Sequence, residues 1–187
     1  MSSHLELLLL CGSLRSGSSN HAVLRTAAEL MPVGYSGVLF DALGELPHFN
    51  PDDDHDPLPP PVTELRTRLA AASAVLISTP EYAGALPGSF KNLLDWTIGG
   101  GEIYGKPVAW INVAGPAAPT GGADAHDSLQ KVLRYAGADV VSSANARIPL
   151  VRSQVSPDGL IHDPEVRQEI VRLLTELAAY IGESGKE

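Results

Sequence analysis

A single cysteine, Cys11, stands among 187 residues, so no internal disulfide can form and a reducing compartment is the expected setting. At the end of an apolar run, Cys11 reads as a small buried hydrophobe rather than a reactive thiol. Basic residues are also scarce, with 13 Lys and Arg against 22 Asp and Glu and a formal charge of −9. A grip on nucleic acid needs clustered cations that displace counterions, so no nucleic-acid partner is expected. Long hydrophobic runs are missing. Leu7 to Leu10 is too short for a span or a signal-peptide core, has Glu6 beside it and lacks a basic leader. No membrane association and a cytoplasmic location are the expectations.

Metal-ligand patterns are missing as well. His4, His21, His48, His126 and His162 show no ligand spacing for zinc. Asp52, Asp54 and Asp56 alternate as in a calcium loop, but Pro57 stands where the turn glycine belongs and Thr63 where the bidentate Glu belongs. A solvated acidic loop is the reading, with no metal.

What is present is a globular composition, 44% hydrophobic and 19% charged, in a length suited to one domain spanning residues 1–187. Strand patterns fall at Leu5–Cys11, Val38–Phe40, Ala74–Thr79, Pro107–Ala114 and Ala138–Ser142. Between and after them run helical stripes: Ser19–Leu30, Val62–Ala72, a helix opening near Pro87 and stopped by Gly99–Gly101, Leu129–Ala136, and Val166–Ile181. Pro47–Pro61 reads as loop and Pro149–Pro164 as a polar excursion. Strands alternating with helices imply right-handed crossovers and an α/β doubly wound, five-stranded parallel sheet with helices on both faces. In such sheets ligands bind beyond the carboxyl ends of the strands, where strand order reverses. The loops after strands one, three and four are therefore the candidates.

The first of these, Gly12 to Asn20, carries Ser13, Arg15, Ser16, Ser18, Ser19 and Asn20 between a buried strand and a helix start. Orphan N–H groups of a first helical turn, hydroxyl donors and a guanidinium fork together suit a phosphate. Helix capping by Ser18 or Ser19 is compatible with that reading but leaves Arg15 unexplained. Ser18 occupies the position where a nucleoside-triphosphate loop needs Lys, and Leu14 the second glycine position of the dinucleotide fingerprint. A monophosphate fits best.

The second loop, Thr79 to Gly88, mixes stiff prolines, permissive glycines, Glu81 and Tyr82, the composition of a shaped binding loop. The third, Gly115 to Gly122, has no large side chain and leaves its backbone free to approach a flat ring, or serves only as a flexible crossover.

On GSLRSGSSN at Gly12–Asn20, PEYAGALPGSFKNLLDW at Pro80–Trp96 and the glycine loop ending at Gly122, the chain resembles the NADPH-dependent FMN reductase family, which includes related quinone, azo-dye and chromate reductases. The resemblance spans nearly the whole chain. It implies a flavodoxin-like fold with strand order 2-1-3-4-5 and FMN as cofactor, with NADPH or NADH as electron donor and a small-molecule acceptor. It assigns Ser13, Arg15, Ser18, Ser19 and Asn20 to the FMN phosphate. Pro80, Glu81, Tyr82, Ala83 and Gly84, with Gly115, Gly121 and Gly122, fall around the isoalloxazine and ribityl groups. Many relatives carry Asn where Ala83 stands, and the loop Pro116–Thr120 lacks the basic residues some relatives place after the paired glycines. A homodimer or homotetramer is implied, with the segment Pro80–Trp96 near the subunit contact. No acid–base side chain is called for, because the flavin carries the chemistry and the protein positions it. A flavodoxin-like electron carrier without dinucleotide oxidation is the alternative, since fold and cofactor alone do not separate the two.

Overall fold

A computed structural model describes residues 4–115 and 118–184. Strand β1 (Leu5–Cys11) lies centrally, flanked by β2 (Tyr35–Phe40) and β3 (Ala74–Ser78), and β4 (Pro107–Ala114) follows β3. The order is β2-β1-β3-β4-β5 and every pairing is parallel, as the alternating pattern predicts.

Leu8, Leu9 and Leu10 are all fully buried because successive side chains of β1 enter opposite cores. Leu7, Leu9 and Cys11 pack with α1 (Ser19–Glu29) and α5 (Pro164–Ser184). Leu8 and Leu10 pack with α2 (Pro60–Ala71), α3 (Gly88–Trp96) and α4 (Ala123–Tyr135). Each such leucine contributes roughly 1.5–3 kcal/mol. Burial also pushes the Cys11 thiol up, which leaves it the inert hydrophobe its position suggests.

The fifth strand departs from expectation. Instead of running from Ala138 to Ser142, it is split: β5 spans only Asp139–Val140, a 3₁₀ turn at Ser142–Ala144 interrupts it, and β6 (Ala146–Pro149) resumes pairing with β4. The Asn145 side chain accepts the Trp110 N–H at 2.9 Å and bridges the gap in the ladder. Pro149–Pro164 is accordingly not simply an excursion: it begins inside β6 and holds a 3₁₀ turn at Arg152–Gln154 and a Val155–Ile161 bridge.

Pro47–Pro61 is not wholly loop either. It contains a 3₁₀ turn at Pro51–Asp53, and α2 begins at Pro60, since proline in a first turn gives up an N–H that has no partner anyway. Asp54 of the acidic run is committed to Arg66 at 2.7 Å, and Arg66 in turn donates to the Trp96 carbonyl. Among the described residues no group of three or more His, Cys, Asp or Glu is placed to hold a metal ion. Nor is any described helix long and apolar enough to cross a membrane.

Candidate functional site

Helix α1 leaves the sheet on one face and α3 on the other, so strand order reverses between β1 and β3 and a crevice opens above their carboxyl ends. Gly12 closes the floor of that crevice. Its N–H donates to the Ser78 carbonyl at 2.8 Å, and a Cβ there would stand 2.1 Å from Thr79 Oγ1, so only glycine lets loop and strand approach this closely.

Ser18 is the N-cap of α1, its Oγ accepting from the Asn20 N–H at 3.2 Å, so capping does occur. Ser13 Oγ accepts from the Arg15 N–H in the same way. A hydroxyl that accepts from backbone still has its own proton to donate, so neither serine is used up. Asn20 accepts from Ser78 Oγ at 2.9 Å, which fixes the amide while leaving its NH₂ donors available. The first turn of α1 carries no acidic residue to compete with an anion.

These residues line one small cavity of about 180 Å³: Ser13, Arg15, Ser18, Ser19 and Asn20 from the first loop, Pro80 and Tyr82 from the second, and Gly115 from the third. Leu150 and Arg152 complete it from the segment after β6. Sequence reading missed Arg152, whose guanidinium lies 3.2 Å from where a Cβ of Gly17 would stand. The available signal was an arginine directly after the apolar run Ile148–Val151. The lining holds two guanidiniums and no carboxylate. A larger cavity, about 550 Å³, shares Ser13, Arg15, Gly17 and Ser18 with it and adds Arg25, but Asp41 and Glu45 also line it. The small cavity, free of carboxylates among its described lining, is the better suited of the two to an anion.

The structure gives Glu81 a task the sequence does not announce. Its carboxylate accepts from the Thr120 hydroxyl at 2.7 and 2.6 Å and from the Asp124 and Ala125 N–H groups at 3.1 and 3.2 Å. It thus caps α4 across a gap and ties the second loop to the third. Gly115, Gly121 and Gly122 sit in that third loop, while Pro116 and Ala117 of the expected Pro116–Thr120 segment lie outside the described residues.

Tyr82, 53% exposed, begins a tight turn in which it exchanges two backbone hydrogen bonds with Ala85 at 3.0 and 3.1 Å. Ala83 and Gly84 both have positive φ, 51° and 71°, the pattern of a type I′ turn, whose favoured central pair is Asn-Gly. Gly84 is thus explained by backbone conformation before any ligand is considered. Ala83 strains where Asn would not, so Ala83→Asn is expected to raise stability by about 0.5–1 kcal/mol, read by denaturant unfolding. A lower midpoint in the variant would show that the turn is not limited by this angle.

Under the glycine loop, Trp110 Nε1 donates to His126 Nδ1 at 2.9 Å, which requires a neutral imidazole. Burial first, and then the nearby Arg147 charge, hold the His126 pKa below its ordinary value. The unfolded chain therefore takes up the proton first, and stability falls as pH drops through the ordinary histidine range near 6.5. Tm of His126→Gln is expected to depend less on pH than wild type between pH 7 and 5. Parallel curves would remove His126 from acid sensitivity.

The model of the NADPH-dependent FMN reductase family matches residues 5–150. An NAD(P)H-dependent FMN reductase of Pseudomonas aeruginosa is 32% identical, covering 97% of each chain. An NADPH azoreductase of a Bacillus species is 34% identical, covering 84% of each. The structure superimposes on the flavoenzyme NAD(P)H:(acceptor) oxidoreductase FerB of Paracoccus denitrificans with a TM-score of 0.84 at 28% identity, covering 96% of this chain and 98% of that one. With the reversal point, the serine- and arginine-lined loop and these matches together, the chain belongs to the NADPH-dependent FMN reductase family.

Proposed function

We propose that the chain holds FMN with its phosphate in the small cavity above β1 and its ring toward the Tyr82–Ala85 turn and the glycine loop, and that it works as an NAD(P)H oxidoreductase reducing a small acceptor. The observation that carries this is a cavity at the reversal point, lined by Arg15 and Arg152, three serines and Asn20, with no carboxylate. In a chain of formal charge −9, two guanidiniums placed together without acidic partners among the described residues suit an anionic ligand.

Ser13 and Ser18 supply hydroxyl donors, Arg15 and Arg152 charged forks, and the open end of α1 a positive dipole. The Tyr82 side chain is exposed and available to shield one side of a flat group, while Gly115 and Gly121 leave the other side open to a second ligand. When bound, FMN supplies the redox chemistry, taking up two electrons as hydride from the dinucleotide and passing them to the acceptor. Relatives are named for quinones, azo compounds and flavin, which sets the acceptor class proposed here, and metal oxyanions belong to the same set of accessible acceptors.

The electron-carrier alternative has no counterpart among the named reductases. Anaerobic stopped-flow of the FMN-loaded protein is expected to show bleaching of flavin absorbance by NADPH or NADH, followed by recovery on addition of a quinone. Failure of both dinucleotides to bleach the flavin would leave the carrier in place of the enzyme.

A further inference from the structure

Beside the phosphate cavity and sharing Gly115 with it lies a second cavity of about 300 Å³, lined by Ala114, Gly115, Ala118, Gly121, Arg147 and Pro149. Arg147 is the only charged residue of its described lining. We infer that this cavity is a subsite for an oxyanion of the second substrate, a phosphate of the dinucleotide donor or an anionic group of the acceptor, held by the Arg147 guanidinium.

The pairing of β4 with β6 builds the floor. Asn112 registers with Arg147 and Ala114 with Pro149, so in this parallel ladder all four side chains share one face. Gly122 lies over that face: a Cβ on it would stand 3.7 Å from Ala114 Cβ and 3.9 Å from Asn112 Cβ. The register places Arg147 on this side of the sheet, and its charge adds to the burial that holds the His126 pKa low.

Two groups here have no protein partner, one exposed and one buried. Arg147 is exposed and, like Arg15 and Arg152 of the phosphate cavity, has no carboxylate within ion-pair reach among the described residues, so its guanidinium is available to an anion. On its outer side it borders a groove with Asp163, Glu165 and Glu169, and none of them closes to 4.0 Å. Asn112, the register partner of Arg147, is 2% exposed, and neither its Oδ1 nor its Nδ2 has a hydrogen-bond partner among the described residues. A buried amide without partners is costly, and in native proteins such exceptions call for an explanation. An oxyanion in the cavity gives the Arg147 guanidinium its acceptor, while Asn112 lies beneath the lining and keeps its own deficit.

The inference rests on the FMN reading for its second substrate, so the test separates the two. Steady-state constants are measured for wild type, Arg147→Gln and Arg147→Lys with NADPH, NADH, neutral 1,4-benzoquinone and an anthraquinone sulfonate. Loss of the fork is expected to raise KM for the anionic substrate about ten- to a hundredfold, with Lys restoring part and with FMN affinity unchanged. A rise confined to the dinucleotides assigns the oxyanion to the donor, and one confined to the sulfonate assigns it to the acceptor. In parallel, inorganic pyrophosphate is titrated calorimetrically into wild type and Arg147→Gln with excess FMN present. Binding seen in wild type and lost in the variant supports the subsite even where no dinucleotide is oxidised, which would fail the reductase reading alone. Unchanged KM values together with equal pyrophosphate binding overturn the subsite and leave the reductase reading standing.

Discussion

Replacing both Arg15 and Arg152 with alanine is expected to weaken FMN at least a hundredfold while riboflavin affinity changes by no more than about threefold. Each charge-assisted hydrogen bond contributes about 1.5–3 kcal/mol, and every 1.4 kcal/mol is tenfold in affinity. Two guanidiniums on one phosphate share their work, so the double loss falls short of the product of the single losses. Riboflavin has the same ring and ribityl chain but no phosphate, and its affinity reports only the second and third loops. Both residues are exposed and have no ion-pair partner among the described residues, so apo-protein Tm should move little. Flavin fluorescence quenching reads both affinities. Equal losses for FMN and riboflavin would mean that the arginines shape the loop rather than meet the phosphate.

Glu81→Ala acts on a different axis. The substitution removes the acceptor for Thr120, Asp124 and Ala125 at once and leaves the start of α4 without its carboxylate. Loss of a cap typically costs 0.5–2 kcal/mol, and hydrogen bonds to a charged group more, so about 2 kcal/mol is expected for this half-buried group. In a chain of this size that corresponds to a fall in Tm of about 4–8 °C. Glu81→Gln keeps an acceptor oxygen and should lose about half as much. Flavin binding should weaken for FMN and riboflavin alike, since the tie between two loops is cut rather than a phosphate contact. A variant with wild-type Tm would show that solvent replaces the carboxylate at no cost, and the staple would carry no weight.

Arg15, Arg152 and Glu81 mark where sequence reading reaches and where it stops. Strands β1 and β3 were legible because continuous burial on both faces leaves unbroken apolar runs, Leu7–Cys11 and Ala74–Ser78. The loop after β1 was legible because its chemistry is local, with hydroxyls, guanidinium and helix start within nine residues. Strand β6 was not, since only Ile148 of its four residues is buried and Pro149 argues against a strand. Its assignment depends on β4 extending past β5, a fact of tertiary structure. Arg152 was invisible for the same reason, as nothing in its neighbourhood predicts that it folds back onto Gly17. Glu81 was placed in the right loop, yet its contact with α4 spans a separation that no periodicity encodes.

The small cavity at the reversal point takes its lining from residues 13–20 and again from Leu150 and Arg152, on the two sides of the long stretch that builds β2, β3 and β4. During synthesis at about 5–20 residues per second, on the order of ten seconds separates the emergence of its first wall from that of its last. A nascent chain therefore carries an open, half-charged recess until Arg152 has emerged. The recess is completed after the central strands exist, and so is no template around which the early sheet assembles.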